Sequence, residues 1–312
     1  MFLSFSWMVI TYVSVLLAVA FFILLERKGL SYIQARKGPN KVGYFGLVQS
    51  FADALKLFLK EENNIQNSNK VPYFLAPVLS LILSLSVWSL YWSSFHLWYF
   101  NMGVLFFLCV SALNVYGTMM AGWSSNSKYS LLGSLRAVAQ TISYEVTLFL
   151  ILLSAITISA SFSLLSIFNH QLFIWTALLM MPMFMMWLVV CIAETNRAPF
   201  DFAEGESELV SGFNIEYGSG AFALLFLAEY ASILFMSMLT TVLFFGTKNL
   251  WMLDNFSFWL KASCVAFFFI WVRGSFPRMR YDLLMKLTWL SFLPISLMIL
   301  STVLATKFMF NL

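Results

Sequence analysis

Residues 219–245, SGAFALLFLAEYASILFMSMLTTVLFF, carry a single charge, Glu229, in a run long enough to cross a lipid bilayer. A hydrocarbon layer of ~30 Å takes about 20 helical residues to span. Seven more apolar runs have this character, at roughly 7–25, 73–92, 101–122, 135–158, 172–193, 257–275 and 287–310. The expectation is an all-α polytopic membrane protein with eight transmembrane helices. Strand-like alternation in segments of about ten residues is absent, so helices rather than a barrel are expected to satisfy the backbone in lipid. Composition agrees, since 61% of the 312 residues are hydrophobic and 10% charged, too little polar surface to cover a soluble core.

Charge sorts with these spans. The loops after the first, third, fifth and seventh hold Arg27, Lys28, Arg36, Lys37, Lys41, Lys56, Lys60, Lys70, Lys128, Arg197, Arg273, Arg278, Arg280 and Lys286. Opposite them stand only Lys248, Lys261 and Lys307, with Arg136 at the start of the fourth span. The excess of cations orients the chain with its N-terminus on the outside and those four loops on the positive side. No basic region precedes the first apolar run, so a cleavable signal is not expected. Within the long first loop Leu47, Phe51, Leu55 and Phe58 recur at helical spacing opposite Gln49, Asp53, Lys56 and Lys60. That pattern predicts an amphipathic helix lying in the membrane interface. No repeat or low-complexity segment divides the chain, and residues 1–312 read as a single transmembrane domain.

The segment between Glu194 and Tyr217, ETNRAPFDFAEGESELVSGFNIEY, holds six of the 14 acidic residues and one cation, Arg197. Its formal charge of −5 faces first and seventh loops of +4 and +3 on the same side. Apolar Phe200, Phe202, Leu209, Val210, Phe213 and Ile215 interleave with the acids and favour burial. The segment is therefore expected to fold against the two basic loops. Asp201, Glu204 and Glu208 fall at i, i+3 and i+7, one face of any helix there, where mutual repulsion raises carboxylate proton affinity. Glu145 and Glu229 sit about ten residues into the fourth and sixth spans, ~15 Å deep at 1.5 Å per residue. A carboxylate at that depth costs about 2.5 to 3.5 kcal/mol on insertion scales, which marks both as functional candidates. With Arg136, Gln140 and Glu194 they suggest a polar file leading inward from the acidic segment. Cys109, Cys191 and Cys264 stand alone in predicted spans and read as small buried apolar residues, while His96 and His170 offer no paired haem or metal ligands. No metal site and no redox centre is expected in this chain.

Four blocks carry a resemblance. ERKGLSYIQARKGPNKVGYFGLVQSFADALKLFLKE, GWSSNSKYSLLGSLRAVAQTISYEVT, AETNRAPFDFAEGESELVSGFNIEYGSG and VRGSFPRMRYDLLMKL are similar to the chain-1 subunits of mitochondrial NADH:ubiquinone oxidoreductase, respiratory complex I. The likeness covers nearly the whole chain. It implies a core membrane subunit beneath the hydrophilic arm, walling the tunnel by which ubiquinone enters. Arg27, Arg36, Asp53, Arg273 and Arg278 would line or support that quinone tunnel. Glu145, Glu194, Asp201, Glu204, Glu206, Glu208, Glu216 and Glu229 would couple quinone reduction to proton translocation, with no catalytic residue in the redox sense. The chain would bind no cofactor itself, ubiquinone being substrate and flavin and iron–sulfur clusters lying in partner subunits. Other membrane and hydrophilic-arm subunits and the lipid bilayer are the implied partners, nucleic acid is not, and the positive side becomes the matrix side of the mitochondrial inner membrane. A self-sufficient proton-coupled membrane transporter is the alternative, because midplane acids also serve such proteins. A passive anchor for a soluble arm is a third reading.

Overall fold

The computed structural model describes the chain except residues 1, 64, 92–99, 172–173, 206–207, 209, 247–250 and 311–312. In order, the helices are α1 (Phe2–Ile33), α2 (Gln49–Leu59), α3 (Lys70–Val87), α4 (Gly103–Ser124), α5 (Lys128–Ser159), α6 (Leu164–Asn169), α7 (Thr176–Leu179), α8 (Met181–Glu194), α9 (Ser219–Phe244), α10 (Trp251–Ser275), α11 (Tyr281–Lys286) and α12 (Leu293–Phe310). A π-helical turn, Leu287–Phe292, joins α11 to α12 into one long rod. Pro294 follows that turn at once. Its ring crowds the carbonyl four residues back and supplies no N–H, the ordinary cause of such widening.

Among the described residues seven helices are long and apolar enough to cross a bilayer, where the sequence predicts eight. The expected fifth span is the exception, broken into α7 and a 14-residue α8. Met180, at φ −125° and ψ 50°, leaves helical geometry two residues before Pro182, which opens α8 and cannot donate to a preceding turn. A length of 14 residues makes only about 21 Å of helix, short of the hydrocarbon thickness. Two other boundaries move. α1 runs on to Ile33, so Glu26, Arg27 and Lys28 occupy its end rather than a loop, and α5 begins at Lys128, so Arg136 lies two turns inside it.

α9 is the most enclosed of the spans, packed against α3, α10, α1 and α2. α4 sits between α3 and α5, while α5 also meets α8 and α12. Tyr144, Leu148, Ile151, Met183, Trp187, Phe235 and Met238 are fully buried at their centre. The amphipathic segment forms α2, which packs against α1 and α9. Of the three cysteines only Cys191 is buried; Cys109 and Cys264 face outward from their helices.

The acidic segment folds onto this scaffold as turns. Among the described residues no helix runs from Asp201 to Glu208, because Gly205 takes φ +49° and breaks the backbone, so the three acids do not share a helical face. Gly212, at φ +55°, lies so close to the Ala203 carbonyl that a Cβ would sit 1.7 Å from its oxygen. Gly133 of α5 presses on that same turn, its Cβ position 2.9 Å from Gly212. Two glycines thus let the segment lie flat against α5. Its far end is pinned by Tyr217, stacked at 4.4 Å on Tyr73, whose hydroxyl donates to the Glu216 carbonyl at 2.7 Å.

Candidate functional site

A cavity of about 380 Å³ opens between α1, α2, α9 and α10. Most of its wall is apolar, including Phe58 of α2 and Phe222 and Phe226 of α9. The rings of those last two, spaced one helical turn apart, meet at a 45° tilt with centroids 4.3 Å apart, and Tyr230 continues the row 6.3 Å beyond Phe226. One end is charged. Arg27 pairs with Asp53, which also accepts from Gln49 at 2.8 Å, and Arg273 pairs with Glu26. Glu26 is 6% exposed and accepts a second bond from the Tyr230 hydroxyl at 2.5 Å. A buried carboxylate needs this matching, since an unpaired one would cost several kcal/mol.

Arg197 stands behind that end. Its guanidinium lies 4.2 Å over the Tyr230 ring and 3.9 Å from the Glu229 carboxylate, with 11% of the side chain exposed. Burial works against the cation, yet Tyr230, Glu229, Glu26 and Glu204 together hold its proton more firmly than water does. The acidic turns lie on its other flank. Burial raises Asp201 above the ordinary carboxylate range, offset in part by Arg278 and by the Glu204 N–H that donates to it at 3.3 Å. Glu204 is also raised, first by burial and then by Asp201, against Arg197 and Arg273, while Asn214 donates to it at 3.1 Å.

Two further carboxylates have no cation beside them. Among the described residues neither Glu145 nor Glu194 forms an ion pair. Glu194, at the end of α8, has one oxygen, Oε2, buried without a hydrogen-bond partner. Glu145 lies near enough to interact with it electrostatically.

The residues singled out from sequence therefore divide. Arg27, Asp53 and Arg273 meet at the cavity, whereas Arg36 is exposed and its side chain donates to Gln34 at 2.9 Å. Arg278 lies away from the cavity, bonded to the Asp201 carbonyl with its guanidinium 5.5 Å from the Phe202 ring. Glu229, Asp201 and Glu204 gather around Arg197. Glu208 is exposed and pairs with Arg136, and Glu216 is half-buried beside Tyr73, so neither joins that group. Glu206 lies outside the described residues. The acidic segment docks on the seventh loop, through Arg278 and a Met279 N–H bond to the Pro199 carbonyl at 3.1 Å. Among the described residues the first loop's cations form no ion pair with it, and Arg27 takes Asp53. Gln140 is a clasp rather than a step in a polar file, its amide donating to the Ala193 and Phe200 carbonyls at 2.8 and 2.9 Å.

Glu26, Tyr230 and Asn214 are site residues that the sequence did not single out, and Arg197 stood out there only as the one cation of the acidic segment. Glu26 was hidden by an apolar run that ends one residue before it, although α1 continues through it. No local signal separates Tyr230 from the other 11 tyrosines except its place beside Glu229.

The profile of the NADH dehydrogenase family matches residues 6–304. NADH-ubiquinone oxidoreductase chain 1 of Anopheles gambiae is 58% identical over 285 residues, covering 91% of this chain and 90% of its own. The protein of that name from Heterololigo bleekeri is 54% identical over 303 residues, 97% of each chain. That from Sminthopsis macroura is 52% identical over 288 residues, 91% of each.

Proposed function

The chain belongs to the NADH dehydrogenase family, and from that premise we propose that it walls the ubiquinone entrance of a proton-pumping NADH:ubiquinone oxidoreductase and carries part of its proton path. The observation that carries the reading is the cavity between α1, α2, α9 and α10, apolar along an aromatic row and charged at one end. An isoprenoid tail suits the row, and a polar quinone ring suits the arginines and Tyr230. In this reading the subunit sits in the mitochondrial inner membrane among other complex I subunits, which hold the flavin and iron–sulfur clusters.

Reduction of a quinone to a quinol takes two electrons and two protons, so charge near the ring changes during turnover. A unit charge is worth roughly 3 kcal/mol to another about 6 Å away at an effective dielectric constant near 20. Arg197 is placed to pass such a change on, because it touches Tyr230 on the cavity side and Glu229 on the other. Glu204 and Asp201, already biased toward protonation, then respond by taking up or releasing protons. Glu194 and Glu145, without cations, would continue the path. A photoreactive ubiquinone analogue on the assembled complex tests the first step. Labelling is expected on the α9 peptide containing Phe222 and Phe226, with protection by excess ubiquinone; absence of label there overturns the reading.

A further inference from the structure

A second, smaller cavity of about 50 Å³ lies between α3, α4, α8 and α9, walled by Ser84, Ser111, Asn114, Glu194, Thr195 and Ser232 among apolar neighbours. Every hydroxyl in that wall has its proton committed. Ser84 donates to the Leu81 carbonyl at 2.9 Å, Ser111 to Leu108 at 3.0 Å, Thr195 to Cys191 at 3.0 Å and Ser232 to Glu229 at 2.6 Å. Each hydroxyl oxygen therefore has only lone pairs left for the cavity. Glu194 adds a buried oxygen, Oε2, that no donor among the described residues reaches. Asn114 alone in this wall combines N–H donors with an acceptor, one turn along α4 from Ser111.

A wall of acceptors selects an occupant that donates. Water does so twice per molecule, and the volume has room for about three molecules. We propose that this chamber is a built water site, in which Asn114 orients a short chain of waters against Glu194 and gives that carboxyl its proton-exchange partner on the α3–α4 side. The inference rests on the proton-carrying role proposed for Glu194, and it adds Asn114 as a positioning residue.

The test uses the assembled complex in phosphatidylcholine nanodiscs, imaged at a resolution that shows ordered water. Density linking Asn114 to Glu194 Oε2 is expected in the native protein and lost in Asn114→Leu. In that variant kcat and NADH-driven proton pumping should fall together, severalfold, at unchanged quinone KM, with partial recovery in Asn114→Ser. A dry chamber in the native map overturns the proposal, and so does a single density with oxygen contacts shorter than hydrogen bonds, which marks a monovalent cation. If Asn114→Leu fails to assemble, the native map alone decides. Ordered water present while Glu194→Gln still pumps fully would keep the water site and remove the proton-path reading instead.

Discussion

Two groups of carboxylates share this fold and are treated in opposite ways. At the cavity, Glu26 and Asp53 each have an arginine of their own. Across the α9 helix, Glu194 and Glu145 have none among the described residues, and Asp201 and Glu204 are only partly compensated. Carboxylates held in place by arginines present a fixed array of charge and hydrogen-bonding groups and so suit recognition of a polar ring. Asp201 and Glu204, raised by burial above their ordinary values, lie closer to their protonation balance and suit proton exchange. Arg197 stands between the two, over the Tyr230 ring and beside the Glu229 carboxylate.

Removing that contact should have the largest effect. Arg197→Met leaves Glu229 buried without its cation, and breaking a buried pair costs about 3–5 kcal/mol. Expected is a much reduced yield of assembled complex on native gels, with turnover in the remainder down by at least tenfold. Normal assembly and turnover would dissolve the boundary between the two regions. Arg273→Gln is milder because 39% of the arginine side chain is exposed and Tyr230 still donates to Glu26. Quinone KM should rise roughly tenfold, equivalent to ~1.4 kcal/mol, with pumping per electron unchanged in steady-state assays.

The acidic turns supply a pH test. Asp201 and Glu204 have folded pKa values above their unfolded ones, so as pH rises through that window the unfolded segment gives up protons first. Docking of residues 199–217 should therefore weaken with rising pH, from the ordinary carboxylate range up to the raised values. Hydrogen exchange of this segment, corrected for intrinsic rates, should show that slope in the native protein and lose most of it in the Asp201→Asn, Glu204→Gln double variant. The smallest effect belongs to Asp53→Asn, since that pair is 35% and 50% exposed and is worth under about 1 kcal/mol. Thermal stability should hardly move, while quinone KM rises about threefold.

Much of the architecture could be read from the sequence because lipid imposes long apolar runs. Among the described residues seven of the eight runs carry a helix long enough to span; the fifth is broken near Pro182, where a local backbone rule overrides hydropathy. Ends were harder. Hydropathy stops at a charge, but a helix does not, which is why Glu26 and Arg27 were assigned to a loop although α1 carries them. Within the site, Asp53, Arg27 and Arg273, named through the family resemblance, lie together at the cavity, whereas Arg36 and Glu208, named in the same way, are exposed and face away. Helical spacing misled in the acidic segment, since Gly205 and Gly212 permit turns that no i, i+3 count foresees. Arg197 was visible only as a lone cation, and its partners come from α9, more than 30 residues later in the chain.

The division of labour between the two carboxylate groups is tested most directly by the proton pumping of complexes carrying Glu194→Gln, measured in vesicles with NADH and ubiquinone. The expected result is a severalfold loss of pumping with quinone KM at its native value. Full pumping in that variant, or a raised quinone KM, would contradict it.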